Sequence, residues 1–278
     1  SEAMHHLGVP STRALSLSLT GDQVLRDVMY NGNPAHEKGA IVSRVAKSFL
    51  RFGNFEIFSS RNDIKNLKIL TDYTIKSHFS HLGKPSKEVY LQFFQEITNK
   101  TLEMIIHWQR VGFVHGVMNT DNMSILGLTI DYGPFSFMET YNPGFICNHS
   151  DTQGRYSFER QPSVALWNLH RLADTLKTLI EEEQLKEALA MYEKILVKEY
   201  SLLMRNKFGF TVQDESDNAI INNFLELLYT HKKDYHQSIR LLSNDDQRSL
   251  GKAFDPWFKD YHKRLKMEIE DSNQRHAL

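Results

Sequence analysis

Hydrophobic residues recur along the chain with two different periods, and the period changes near residue 62. Before that point, Ser11–Leu19 alternates small or polar residues with apolar ones, and this period of two predicts a half-buried β-strand. The pair Asn31-Gly32 predicts a turn between strands. Beyond residue 62, apolar residues recur at the three- and four-residue spacings of amphipathic helices. A few strands followed by many helices predict an α+β fold.

One long helix and one long loop occupy the middle of the chain. Apolar spacing predicts a helix over Val89–Arg110 that ends at Gly112. The polar stretch from Met138 to Pro162 is unusually long for a connection in a compact domain, so we expect a functional loop. Helical periodicity then continues to about Lys266.

This order of strands, polar motif and helices is that of a kinase-like architecture with two lobes. Residues 1–60 would form the base of a β-rich first lobe together with the hinge. Residues 61–278 would form a mainly helical second lobe that carries the catalytic and metal-binding loops. Both ends of the chain read as cut, so we expect the middle of a longer protein.

Composition excludes several classes of protein. The formal net charge is -1 with 24% charged residues, which argues against a general nucleic-acid surface. No apolar run approaches the length that crosses a bilayer, so no membrane partner is expected. The sole cysteine, Cys147, excludes an internal disulfide and suits a reducing compartment, where a half-buried thiol is more often inert than redox-active.

The chemistry of the chain is concentrated between His115 and Phe135. Asn122 is followed nine residues later by Asp131, which begins an Asp-Tyr-Gly triplet, and an apolar hairpin is expected between them. Amide and carboxylate oxygens are the hard ligands that Mg²⁺ prefers. Protein kinases hold their metal with an Asn and an Asp of this kind, so the pattern predicts a phosphoryl- or nucleotidyl-transfer site.

The expected kinase base is missing. Five residues before Asn122 the chain has Val117, which cannot accept a proton and therefore argues against an ordinary kinase. Asp121 is the carboxylate that remains in this part of the loop, and it would either act as the base or help organise the metal. A base at this different position would move the attack from the γ to the α phosphate, with transfer of a nucleoside monophosphate and release of pyrophosphate.

Other polar residues near the expected cleft allow two interpretations. Arg44 and Arg51 would either bind phosphate oxygens through their guanidinium groups or be solvated surface charges. His115 is expected to be structural rather than catalytic. The 13 histidines show no zinc-ligand spacing, so a zinc site is not expected.

Three stretches of the chain closely resemble the SelO/YdiU family, which is named for selenoprotein O. They are His115–Phe135, Phe145–Leu176 and Ser43–Glu56, and the resemblance extends over essentially the whole chain, nearest to the bacterial branch. It implies a kinase-like fold that binds ATP in a flipped orientation. It also implies transfer of AMP to Ser, Thr or Tyr hydroxyls of protein substrates (AMPylation), with UMP transfer from UTP as a further activity of bacterial members.

The resemblance also assigns roles to individual residues. Asp121 would be the proton acceptor, Asn122 and Asp131 would hold Mg²⁺ or Mn²⁺, and Asp131 would also lie against the nucleotide. Arg44 and Arg51 would contact the phosphates of ATP. A bacterial cytoplasmic protein is implied.

The chain departs from the family pattern at two points. Ser136 stands where the family usually has Gly. The family's glycine-rich loop and its ion-paired Lys and Glu would precede Ser1, and its C-terminal region would follow Leu278. An alternative function is therefore a catalytically inactive, pseudokinase-like binding module.

Overall fold

The computed structural model describes residues 1–28, 31–243 and 247–268. Over these residues the strands are β1 (Arg13–Arg26), β2 (Ala35–Val45), β3 (Phe113–Val114) and β4 (Ser136–Phe137). The helices are α1 (Glu2–His6), α2 (Phe52–Ser60), α3 (Ile64–His78), α4 (Lys87–Arg110), α5 (Gln161–Leu176), α6 (Glu182–Ala190), α7 (Tyr192–Lys207), α8 (Asp217–Thr230), α9 (Tyr235–Leu241) and α10 (Asp255–Leu265). The expected α+β class is confirmed.

Strands β1 and β2 form an antiparallel hairpin in which Arg13 pairs with Val45. The predicted turn residues Asn31 and Gly32 lie in its connection, and residues 29–30 of the predicted strand region are outside the described residues. The prediction of a half-buried strand was wrong, because Leu15, Leu17 and Leu19 are 75%, 69% and 67% exposed. A period-two pattern buries one face only when a second layer covers it, and no element of the described ranges packs over these leucines.

Helix α4 is the centre of the larger hydrophobic core. It begins two residues before the predicted start because Ser86 caps it, with its Oγ accepting a hydrogen bond from the Val89 amide at 3.3 Å. The apolar stripe on α4, which includes Phe93 and Ile97, is fully buried. Phe55 of α2 lies in the same cluster, with its ring centroid 6.4 Å from that of Phe93. The hydrophobic core thus joins the segment after the hairpin to the helical part.

A second core lies among the last helices. The ring centroids of Phe224 on α8 and Trp257 on α10 are 4.5 Å apart. Beside them, Arg264 on α10 pairs with Asp217 at 2.7 Å and with Glu268 at 2.6 Å, and all three side chains are buried. Because breaking a buried ion pair leaves an uncompensated charge, this cluster fixes α10 against α8.

The remaining sequence predictions concern boundaries. The predicted helical part from Pro162 to about Lys266 corresponds to helices α5 to α10, which are separated by connections and end at Leu265. The division into residues 1–60 and 61–278 stays a prediction. Within the part of the chain that the structure describes, no helix is long and apolar enough to cross a bilayer.

Candidate active site

Asp131 is held in an uncommon backbone conformation at the end of a buried segment. Its φ is 53°, a left-handed value that Asp tolerates better than most residues. The preceding Ile130 is buried, and its carbonyl oxygen accepts a hydrogen bond from His115 Nε2 at 2.8 Å. The following Tyr132 contacts Ser11 through its hydroxyl. These contacts on both sides fix the carboxylate of Asp131 at the edge of the cleft.

The segment between Asn122 and Asp131 differs from the predicted apolar hairpin. Its turn is closed by a hydrogen bond from the Gly127 amide to the Ser124 carbonyl oxygen at 3.1 Å, but its two arms form their other backbone hydrogen bonds with different parts of the chain. On one arm, the Ile125 amide donates to the Leu50 carbonyl at 2.9 Å. On the other, the Thr129 amide donates to the Pro10 carbonyl at 2.9 Å. The prediction of a self-paired hairpin was wrong because these neighbouring segments satisfy the same backbone groups.

Arg51 connects the two loops of the site. Its Nη1 donates to the carbonyl oxygen of Asp121 at 2.7 Å and also contacts the carboxylate of Asp131. The residue is positioned at the N-terminus of α2, where its own amide donates to Asn54 Oδ1 at 2.9 Å. The Phe52 amide donates to the carbonyl oxygen of Met123 at 3.0 Å. The structure therefore brings Arg51, Asp121 and Asp131 together.

Arg44 reaches the same carboxylate from the hairpin. Its Nη1 lies 2.7 Å from Asp131 Oδ1, and its guanidinium carbon is 5.4 Å from the ring centroid of Phe49. A cavity of about 500 Å³ opens beside this pair, lined by Ser1, Ala14, Val42, Arg44, Asp131, Tyr132, Gly133 and Phe135. Ser136, at the position of the usual glycine, begins β4 and does not need a left-handed conformation.

Asp121 and Asn122 lie in a single 3₁₀ turn, Thr120–Asn122. Asn122 Nδ2 donates to the carbonyl oxygen of Val117 at 2.9 Å, so the amide oxygen is the atom that can face a cation. Among the residues described, the Asp121 carboxylate has no hydrogen-bond or ion-pair partner and is exposed. A carboxylate without a partner is free to take up a proton, as a general base requires.

The donor set suits a magnesium or manganese ion that is also bound by phosphates. Mg²⁺ is commonly held by one or two protein oxygens together with substrate phosphates, and Asp131 and Asn122 offer such oxygens. Within the described ranges, no group of three or more His, Cys, Asp or Glu residues could hold a metal alone. Each oxygen of Asp131 contacts one arginine, so a metal ion would either share the carboxylate with the two guanidinium groups or replace one of them.

His115 is part of the core beneath the site. It is 1% exposed and stacks on Trp108, with ring centroids 5.3 Å apart and planes 20° from parallel. Burial lowers the pKa of its imidazole, which keeps the ring neutral. Its Nε2 supports the residue before Asp131, which is consistent with the structural role expected from the sequence.

Two supporting residues were missed by the sequence reasoning. Gly53 lies against the turn Thr120–Asn122, where a Cβ atom would be 3.3 Å from the Cα of Asp121. Glu56 accepts a hydrogen bond from Thr120 Oγ1 at 2.5 Å. Both lie on α2 within five residues of Arg51, and the only sequence signal was a glycine in the first turn of a helix, where glycine is unfavourable.

Cys147 lies at the base of the long loop. Its Sγ–H group donates to the carbonyl oxygen of Val114 at 3.4 Å, and burial raises the pKa of the thiol to about 11. A thiol with so high a pKa is protonated near neutral pH and is a poor nucleophile. This agrees with the expectation of an inert cysteine.

Comparison with known proteins places the chain in a family. The family described as protein adenylyltransferase SelO matches residues 1–277. The protein nucleotidyltransferase YdiU of Flavobacterium johnsoniae is 52% identical over 246 residues, which is 88% of this chain and 47% of that protein. The chain thus spans about half the length of the relative it matches. With a family match over nearly its whole length and this degree of identity, the chain belongs to the SelO family of protein adenylyltransferases.

Proposed function

We propose that the protein represented by this chain transfers AMP from ATP to Ser, Thr or Tyr hydroxyls of other proteins, with Mg²⁺ or Mn²⁺ bound at the site. The observation that carries the proposal is the cluster in which Arg44 and Arg51 contact Asp131 while Arg51 also contacts the loop of Asp121. It combines phosphate-binding cations, a metal-binding carboxylate and an unpaired carboxylate in one cleft. The family membership supports the same chemistry.

In the proposed reaction, Asp121 accepts the proton of the substrate hydroxyl. The oxygen of that hydroxyl forms a bond with the α phosphorus of ATP, and the bond from the α phosphorus to the bridging oxygen of the β phosphate breaks. Pyrophosphate leaves with the electron pair. No partner of the Asp121 carboxylate has to be displaced first among the described residues, which suits a base that acts in every cycle.

Arg44 and Arg51 would turn from Asp131 to the phosphates when nucleotide binds. A guanidinium group binds phosphate oxygens in the same forked geometry as a carboxylate, so this exchange needs only a change of partner. Asp131 and Asn122 would hold the metal ion, which supplies neutralisation of the phosphate charge when bound. The arginines would then stabilise the charge that develops on the departing pyrophosphate.

Two finer points belong to the same proposal. UTP would serve as an alternative donor if the base of the nucleotide is held mainly by apolar contacts, as the mixed lining of the 500 Å³ cavity allows.

A bacterial cytoplasmic location is supported by the bacterial relative and by the single thiol.

The test is label transfer to a mixture of proteins with ATP labelled at either the α or the γ phosphate. The purified chain is assayed with Mg²⁺ and with Mn²⁺, and the full-length Flavobacterium johnsoniae protein serves as the positive control. We expect protein-bound label from the α position only. Label from the γ position would identify a kinase, and no transfer by the chain beside an active control would favour the binding module.

Two variants separate the proposed roles. Asp121→Asn should lower the transfer rate by at least 100-fold and leave ATP affinity within about threefold, because it removes only the base. Asp131→Asn should lower both the rate and metal-dependent ATP binding. Asp260→Asn, an exposed carboxylate on α10, is the matched control and should behave as the parent chain.

A further inference from the structure

A groove separate from the candidate active site lies between α4 and α7. Its volume is about 820 Å³, within the range of small-molecule sites. It shares no residue with the cavity beside Asp131. Its walls are formed by apolar side chains from both helices, namely Leu102, Ile106, Ile195, Leu202 and Leu203.

Two cationic side chains, Lys207 and Arg110, lie at one end of this groove. Lys207 Nζ donates to the Arg110 carbonyl oxygen at 2.6 Å and lies 4.4 Å from the ring centroid of Tyr235. The guanidinium of Arg110 donates to His107 Nδ1 at 3.2 Å and to the carbonyl oxygen of Leu7. Over the residues that the structure covers, neither cation has a carboxylate within ion-pair distance. Both side chains are half-buried and line the groove, and no carboxylate of the described residues neutralises them.

The pKa values of Lys207 and Arg110 are both lowered in this arrangement. Burial, and then the charge of Arg110, lower the pKa of Lys207 to about 7. Burial also lowers the pKa of Arg110 itself. A bound anion would offset both effects, because an opposite charge within a few ångströms favours the charged form of a base.

The rest of the groove restricts the kind of anion. Glu103 and Glu199 line it, and Glu199 is paired with Lys198 at 3.2 Å. These carboxylates would repel a multiply charged phosphate ester, whereas a single negative charge can sit at the cationic end with an apolar body along the walls. Charge and shape together favour a monoanion with a hydrocarbon part.

We propose that the groove between α4 and α7 binds an amphipathic monocarboxylate, with its carboxylate between Arg110 and Lys207 and its hydrocarbon chain against Leu102, Ile106 and Leu203. Binding at this site does not depend on the proposed AMP transfer. The titratable or charged groups beside the anchor are His107 and Arg110 of α4 and Tyr235 and His236 of α9, whereas Glu103 of α4 and Lys198 and Glu199 of α7 line the rest of the groove.

The proposal predicts a proton linkage. When a carboxylate binds, Lys207 should become more basic, so binding between pH 7.5 and 8.5 should take up protons from solution. Burial lowers the pKa values of His107 and His236 from 6.5, so both imidazoles are neutral in the unliganded chain in this range. Affinity should fall as the pH rises through the same range.

The test is calorimetric titration of the purified chain with octanoate at pH 7.5 in two buffers of different ionisation enthalpy, with 1-octanol as the neutral control. We expect saturable one-to-one binding of octanoate with proton uptake, and at least tenfold weaker binding of octanol. Lys207→Met should weaken octanoate binding at least tenfold and abolish the uptake. Lys198→Met, at the exposed rim of the same groove, should change the affinity less than twofold.

If Lys207→Met does not fold, Lys207→Arg provides the same test. It retains the cation, so it should bind octanoate within about fivefold but without proton uptake. The proposal is overturned if octanoate does not bind, if octanol binds equally well, or if Lys198→Met weakens binding as much as Lys207→Met does.

Discussion

Arg51 and Asp131 form an ion pair through an Nη1 atom that also donates to the carbonyl oxygen of Asp121. One guanidinium thus joins the loop of the proposed base to the loop of the proposed metal ligand. The second arginine, Arg44, contacts the same carboxylate and the ring of Phe49, but has no hydrogen bond to the Asp121 loop among the described residues. The two arginines therefore differ in what they hold together, although the sequence presents them as equivalent.

This difference predicts unequal effects of the same substitution. Arg51→Met should lower the free energy of unfolding by about 1 kcal/mol more than Arg44→Met, because it also removes the hydrogen bond to the Asp121 carbonyl oxygen. Urea denaturation of the two variants provides the measurement. Equal losses would show that the contact to the Asp121 carbonyl contributes nothing.

Gly53 should control the position of the catalytic loop. In Gly53→Ala the new Cβ would lie 3.3 Å from Cα and 3.4 Å from the amide nitrogen of Asp121, so the loop must shift by a few tenths of an ångström. Alanine favours the helix by up to about 1 kcal/mol, so stability should hardly change. We expect roughly tenfold slower AMP transfer at unchanged unfolding free energy. Gly144→Ala, where a Cβ meets only Asn142 Oδ1 at 3.6 Å, should leave both quantities as they are.

Gly116 should be required for folding rather than for chemistry. Its φ is 83°, and a Cβ there would be 2.7 Å from Cys147 Sγ and 3.2 Å from Pro134 Cγ. Gly116→Ala should therefore lower the unfolding free energy by about 2 kcal/mol. Combining it with Cys147→Ala removes the closest contact and should restore part of the loss. A strictly additive double variant would show that the contact with Cys147 contributes nothing and that the cost lies in the backbone conformation and the contact with Pro134.

Lys207 should make stability depend on pH above neutrality. Because its pKa is about 7 in the folded chain and 10.5 when unperturbed, the unfolded chain binds more protons between these values. The unfolding free energy therefore gains a contribution that rises with pH from about 7 upward. Lys207→Met should reduce this slope between pH 7.5 and 9.5, measured by urea denaturation, whereas Lys198→Met should leave it unchanged.

Sequence periodicity predicted correctly those elements whose apolar face is buried by other elements of the same chain. The boundaries of α4 were predicted to within two residues because its apolar stripe faces a core made from neighbouring helices. The same reasoning failed for Ser11–Leu19, where alternation indicated a covered face that no described element covers. Periodicity reports the face a strand offers but not what lies against it.

The candidate site shows a similar division. Asp121, Asn122 and Asp131 were identifiable because their order and spacing along the chain carry the pattern. The roles of Gly53 and Glu56 depend on α2 approaching the loop some 70 positions later, as Arg51 does. The self-paired hairpin was predicted wrongly for the same reason, since local sequence does not show that Leu50 and Pro10 compete for the same backbone groups.

The exposed hairpin has a consequence for the behaviour of the chain in solution. Strands β1 and β2 form a sheet of two strands whose outer backbone edges have no further strand beside them among the described residues. Open edges next to solvent-facing leucines are templates for pairing with another chain. The concentration at which this protein begins to self-associate should therefore depend on the 14 residues of β1 and the 11 residues of β2 rather than on the helical core.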